Sequence, residues 1–222
     1  MRIRTLLKYL FACIVILFIM ERVTNFVEKD YFKITKVEIK GDYSFLQKDI
    51  IEELLNLKGK NIWKIDEVKV LKYIKNDVRV KEIKVKKMIP DKIEIEIIER
   101  KPYVYVLWNK KLYLADEEQK IFAYRLEKPI INLIIVKITE KEELKEIYNV
   151  LKKIDVEIKK DISNIYIENK IIKIQLIDGM LFKSDKDVKE EKYKNGYKLY
   201  LKVKKEKKVE YIDLRFEDYI LK

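Results

Sequence analysis

Apolar residues follow three different rhythms along this chain. Residues 9–20 form an unbroken run, Tyr-Leu-Phe-Ala-Cys-Ile-Val-Ile-Leu-Phe-Ile-Met, with no charge and no helix breaker. Leu6 and Leu7 extend it on one side, and Val23, Phe26 and Val27 on the other, toward the roughly 20 residues a helix needs to cross a bilayer. Glu, Arg, Val and Thr at positions 21–24 supply no small-x-small cleavage site, so residues 9–27 read as a retained signal anchor. Arg2, Arg4 and Lys8 precede it, which predicts a cytoplasmic tail over residues 1–8 and an extracytoplasmic body.

The second rhythm covers residues 31–101. Residues 31–40 alternate well enough for a strand, with Gly41 as its expected end. Phe45, Leu46, Ile50, Leu54, Leu55 and Leu57 recur at helical spacing, with Ser44 placed as the cap. After the short apolar connector Ile62-Trp63-Lys64-Ile65, Asp66 is placed to cap a second helix carrying Val68, Leu71, Tyr73 and Ile74. Two strands follow, separated by a turn at Met88-Ile-Pro-Asp. In the second, Ile93, Ile95 and Ile97 alternate inward against Glu94 and Glu96. The order β-α-α-β-β in about seventy residues suits a small α+β domain.

From residue 102 to 222 the pattern is mostly strands, an expected mostly antiparallel β domain with two helices. Hairpins are predicted around Asn109-Lys110 and around Asn169-Lys170, and helices over residues 139–153 (capped by Thr139) and 187–204, the latter weakened by Gly196. Residues 209–216 read as a strand followed by a short last one.

Composition narrows the function. The net charge is +12, but only seven of the fifty basic residues are Arg, and Lys is interspersed with Glu, as in Lys92-Ile-Glu-Ile-Glu. Mixed charge of this kind marks a solvated face, so no nucleic-acid partner is expected. The chain has no His, and its single cysteine, Cys13, lies in the apolar run. An imidazole base, an ordinary zinc site and a disulfide in the outer body are therefore excluded. Gly41, Gly59, Gly179 and Gly196 form no phosphate-binding cluster, and Asn61 after Gly59-Lys60 lacks the hydroxyl of a P-loop. The abundant carboxylates, including Glu52-Glu53 and Glu117-Glu118, read as solvated. No enzyme, small-molecule substrate, cofactor or metal is expected.

Residues 31–102 carry a set of motifs: Ile34, Val37, Ile39 and Gly41, then Gly59-Lys-Asn-Ile-Trp-Lys-Ile-Asp, then Val78, Ile83 and Val85, then Ile89-Pro90. The set ends in Glu99-Arg100-Lys101-Pro102 directly after the alternating strand. This stretch resembles the POTRA domain of the FtsQ/DivIB family of bacterial cell-division proteins. The end of the second domain, Tyr211-Ile-Asp-Leu-Arg-Phe-Glu-Asp-Tyr, is similar to the closing strand of that family's β domain. Two details depart from the family pattern. Asn76-Asp77 stand where a proline is usual, and Glu118-Gln119 where an Asp-Gly turn is usual.

The resemblance implies a non-enzymatic scaffold in the cytoplasmic membrane at the division septum. Its outer part would bind small bitopic coiled-coil division proteins of the FtsB/DivIC and FtsL types and support septal peptidoglycan synthesis. It further implies that the partner adds a strand beside the last strand of the β domain. The matching positions are Arg215 and Phe216, followed by Glu217, Asp218 and Tyr219. Alternation predicts Ile212, Leu214 and Phe216 on one face and Asp213 and Arg215 on the other. The alternatives are a membrane-tethered binder of anionic cell-wall polymer and another POTRA-type assembly factor. The latter would carry a barrel or serial repeats, and neither is present in the sequence.

Overall fold

The computed structural model describes residues 2–42, 46, 48–124 and 132–222, and the chain divides into two compact units after Glu99. Ser44 and Phe45, read above as a cap and as part of a helix, lie outside the described residues.

The first unit begins with helix α1 (Arg2–Val27), whose stretch Leu6–Val27 is long and apolar enough to cross a membrane and is left exposed along nearly all its length. The helix takes in residues 2–8, read above as part of the tail. A short 3-10 turn, Asp30–Phe32, leads into β1 (Lys36–Asp42), α2 (Lys48–Leu55), a second 3-10 turn at Ile62–Lys64 and α3 (Glu67–Lys75). Then come β2 (Val80–Met88) and β3 (Lys92–Glu99). The sheet order is β1-β3-β2, with β3 parallel to β1 and antiparallel to β2.

The alternation of β3 sets the layers. Ile93, Ile95 and Ile97 are fully buried with Ile34, Leu54, Leu57, Ile62 and Ile74. The opposite face is solvated and laced with ion pairs, Lys40–Glu94 at 2.7 Å, Lys84–Glu96 at 3.8 Å and Lys92–Glu38 among them. This is where much of the interspersed Lys and Glu lies. Asp66 caps α3, accepting from the amides of Val68 at 3.0 Å and Lys69 at 3.2 Å. Only part of the expected helical stripes turns inward, since Leu55, Val68 and Tyr73 are exposed. Gly41 does not end its strand. It sits within β1 opposite Ile97 at a φ of +100°, where a Cβ would lie 2.0 Å from the Ile97 carbonyl oxygen. Glycine is there because two backbones nearly touch.

The second unit is built on one nine-stranded sheet. Its elements are β4 (Val104–Trp108), β5 (Lys111–Ala115), β6 (Ile121–Tyr124), β7 (Ile134–Ile138), α4 (Lys141–Lys153) and α5 (Val156–Lys159). They continue with β8 (Ile162–Glu168), β9 (Ile171–Leu176), β10 (Leu181–Ser184), α6 (Glu190–Val203), β11 (Tyr211–Asp213) and β12 (Ile220–Leu221). The order is β12-β11-β10-β9-β8-β7-β4-β5-β6. Most neighbours are antiparallel, but β4–β7, β7–β8 and β10–β11 are parallel. A parallel neighbour requires a crossover, and the helices supply two of them, α4 with α5 between β7 and β8, and α6 between β10 and β11.

Both predicted hairpins form. Asn109 and Lys110, and Asn169 and Lys170, all take φ between 50° and 64°, as a two-residue turn of twist-matched hairpins requires. The helix after β7 starts later than expected, with Glu140 rather than Thr139 at the cap. The Glu143 carboxylate reaches back to the amides of Thr139 at 2.7 Å and Glu140 at 3.4 Å. The strand expected over residues 209–216 is only Tyr211–Asp213, because the chain bends at residues 215–218.

Candidate functional site

The sequence places the candidate site at the end of the second domain, and the structure puts that segment on an edge of the large sheet. β11 pairs with β10 on one side and with β12 on the other, so β12 is the edge strand. Tyr211 and Lys222 exchange both backbone hydrogen bonds, at 3.3 and 3.2 Å, and the Glu210 amide also donates to the Lys222 carbonyl at 2.6 Å. In an antiparallel ladder the next residue turns its backbone away. Leu221 therefore presents its N–H and C=O outward, and among the described residues no strand lies beyond β12.

The bend before β12 is held by side chains. The buried Asp213 carboxylate accepts from the Arg215 amide at 3.2 Å and from its guanidinium at 2.8 and 2.7 Å. Burial pushes the Asp213 carboxyl up, but the hydrogen bonds and charge of Arg215, with Lys183 nearby, outweigh it and hold the group below the usual carboxylate range. The same pairing raises the pKa of Arg215. An identical spacing recurs in the first domain, where Asp77 accepts from the amide and guanidinium of Arg79. On the far side of the bend, the Lys192 ammonium of α6 donates to the Phe216 carbonyl at 2.8 Å and to the Glu217 carbonyl, and lies 4.6 Å from the centre of the Tyr219 ring.

Gly196 explains how α6 approaches so closely. A Cβ there would lie 2.6 Å from Leu214 Cδ2 and 3.4 Å from the Tyr219 ring. Leu214 and Ile212 enter the core, but Phe216, expected on their face, does not: it is 49% exposed. The Asp213–Arg215 clamp breaks the strand one residue too early for alternation to reach it. Of the five predicted residues, Arg215 is engaged with Asp213, Phe216, Glu217 and Asp218 are exposed, and Tyr219 is half-buried under Lys192. Sequence reasoning missed Lys192, Gly196 and Leu221. The Asp-x-Arg spacing, present twice, was the one available signal for the bend.

A cleft of about 640 Å³ opens elsewhere in this domain, lined by Tyr200, Asp178 and three lysines among others. Several of its polar groups are already paired. The Tyr200 hydroxyl donates to Asp178, Lys204 lies 3.8 Å from the same carboxylate, and Glu210 lies 3.4 Å from Lys222.

The fold is thus a small three-stranded α+β domain followed by a large sheet with a bent, helix-braced edge. Comparison with family models gives the class: residues 32–100 match the FtsQ-type POTRA domain, and residues 106–215 match the C-terminal domain of cell division protein FtsQ/DivIB. The chain belongs to the FtsQ/DivIB family and is a cell division protein. No curated protein matches it. The second match ends at Arg215, so Phe216 to Tyr219 and β12 lie beyond it.

Proposed function

We propose that this protein is a non-enzymatic, single-pass scaffold of the division machinery, anchored in the cytoplasmic membrane by α1 with its amino terminus inside. Its outer body binds bitopic coiled-coil division proteins of the FtsB/DivIC and FtsL types and so supports septal peptidoglycan synthesis. The observation that carries this reading is the open outer side of β12, beside the exposed Phe216 and the braced bend. Backbone donors and acceptors on a sheet edge dock an extended segment by continuing the ladder, and neighbouring side chains select it. Family membership supports a role in division.

The test separates the outer from the inner side of β12. Leu221→Pro removes an outward N–H and leaves the pairing of β12 with β11 intact, so the domain should melt normally. Titration of the outer part of an FtsB/DivIC-type partner should show about a tenfold loss of affinity, the worth of roughly one backbone hydrogen bond and its strained neighbours. Unchanged affinity in a folded Leu221→Pro protein would place partner binding elsewhere.

A further inference from the structure

The aromatic residues where α1 ends are a second surface without an assigned role. Asn61 Nδ2 donates to the Val27 carbonyl at 2.7 Å, and Lys64 pairs with Glu28 at 2.8 Å, so the connector between α2 and α3 is fastened to the last turn of α1. Lys33 and Asn61 form an isolated antiparallel bridge that adds the 30–33 turn to the same junction. Phe32 lies at its centre, buried, with its ring 5.3 Å from Phe26 and 5.9 Å from Trp63. Around it, Phe26 is half-exposed, Trp63 is 47% exposed and Tyr31 is 64% exposed. The Lys29 ammonium lies 5.3 Å from the centre of the Phe26 ring, and the same segments carry exposed Lys33, Lys58, Lys60 and Lys64, of which Lys33 pairs with Asp30 and Lys64 with Glu28.

We propose that this collar seats the first domain on the outer leaflet of the membrane, with Trp63, Tyr31 and Phe26 in the interfacial zone and the lysines on lipid phosphates. The inference rests on the reading of α1 as a membrane span. Given that reading, the position of the collar is fixed by chemistry. Val27 closes the apolar stretch, and the polar interfacial layer beyond it is only about 5–8 Å deep. A group hydrogen-bonded to the Val27 carbonyl stands within that layer, and Trp63 is two residues from it. Trp and Tyr are favoured at this depth because an apolar ring with a polar edge suits it, and lysines beside them match the anionic headgroups. The first domain is then held against the bilayer, not carried on a free tether.

The full chain carries two tryptophans, Trp63 and Trp108. A Trp108→Phe protein reconstituted into phosphatidylcholine vesicles with one quarter phosphatidylglycerol makes Trp63 the sole reporter. If that variant folds poorly, the difference between the native and Trp63→Phe proteins gives the same signal. Lipid brominated near the headgroup should quench Trp63 emission by at least half, and aqueous iodide should quench it at least threefold less than in the urea-unfolded protein. Lys60→Glu combined with Lys64→Glu should reduce both effects in the anionic vesicles. Iodide-accessible Trp63 that lipid does not quench, in protein that resists alkaline carbonate extraction, overturns the seat alone. Shielding that requires added coiled-coil partner also overturns it, since the surface would then be a protein contact. Extraction by carbonate overturns the spanning reading and this inference with it.

Discussion

The Asp116 carboxylate lies 2.5 Å from the Arg100 guanidinium, both groups nearly buried, and joins the chain entering the second domain to the turn after β5. The other Asp116 oxygen accepts from the amides of Glu118 at 2.9 Å and Lys120 at 2.8 Å, and its backbone carbonyl accepts from the buried Tyr148 hydroxyl at 2.7 Å. The turn contains Gln119 at a φ of +68°, the conformation a glycine would otherwise provide. Asp116 thereby holds a turn whose sequence lacks the usual Asp-Gly.

Asp116→Ala removes one partner of a buried ion pair and two side-chain acceptor contacts at once, leaving the backbone carbonyl to Tyr148. Losses of this kind cost about 3–5 kcal/mol, and the second carboxylate near Arg100, Glu118 at 3.2 Å, places the expected value at the lower end, about 3 kcal/mol. Asp116→Asn keeps an acceptor for the turn amides and should lose less. Urea unfolding followed by the emission of Trp108 in this domain measures both, and equal losses would mean that the ion pair contributes little.

In the first domain, Ile95→Asp puts a carboxylate at a fully buried position among Ile93, Ile97 and Ile62. Burying an unpaired charge costs several kcal/mol, comparable to the whole stability of a domain this size. Glu96→Lys on the solvated face should change stability by less than about 1 kcal/mol, because exposed ion pairs such as Lys84–Glu96 are worth little. Thermal melts of the two variants give the comparison, with near-equal loss as the contrary outcome.

Lys192→Met retains the aliphatic stem over Tyr219 but removes the donors to the Phe216 and Glu217 carbonyls. The bend should loosen while the core beneath it stays intact. The expected result is a threefold to tenfold loss of partner affinity by calorimetry, with a domain destabilised by only about 1 kcal/mol. A loss in stability that matched or exceeded the loss in binding would make Lys192 merely structural.

Asp213 gives a pH signature. Its folded pKa lies below the usual carboxylate value of about 3.9, so its pairing with Arg215 contributes fully above that value and is lost as pH falls through the folded one. Asp213→Asn should be less stable at pH 7 and lose less additional stability between about pH 5 and pH 3. Parallel melting curves for the two proteins across that range would argue against the assignment.

The local rhythm of the chain carried a large part of this fold. Ile93, Ile95 and Ile97 declared the buried face of β3, and Asn109-Lys110 and Asn169-Lys170 declared their turns, because each depends on residues adjacent in sequence. The parallel neighbours of the large sheet were not legible, since no period distinguishes a strand that pairs after a crossover from one that pairs across a hairpin. Nor was the end of β11. The stretch 209–216 alternates acceptably, and what stops it is a hydrogen-bonded clamp from Asp213 to Arg215 with Lys192 arriving from α6. Gly196 looked like a weakness in a helix and is a contact surface for Leu214 and Tyr219.

The middle strand of the first sheet is also the last of its three to be made. β1 and β2 do not touch, and each is joined to the sheet only through β3. As the chain emerges in order, the described strands before residue 92, β1 and β2, have no ladder to form with each other, and the deepest core residues, Ile93, Ile95 and Ile97, have not yet arrived. The sheet can therefore close only once residues 92–99 are available, because the same strand completes the long-range parallel pairing with β1 and the local hairpin pairing with β2. Until that strand is made, β1 and β2 are both edges without their common partner.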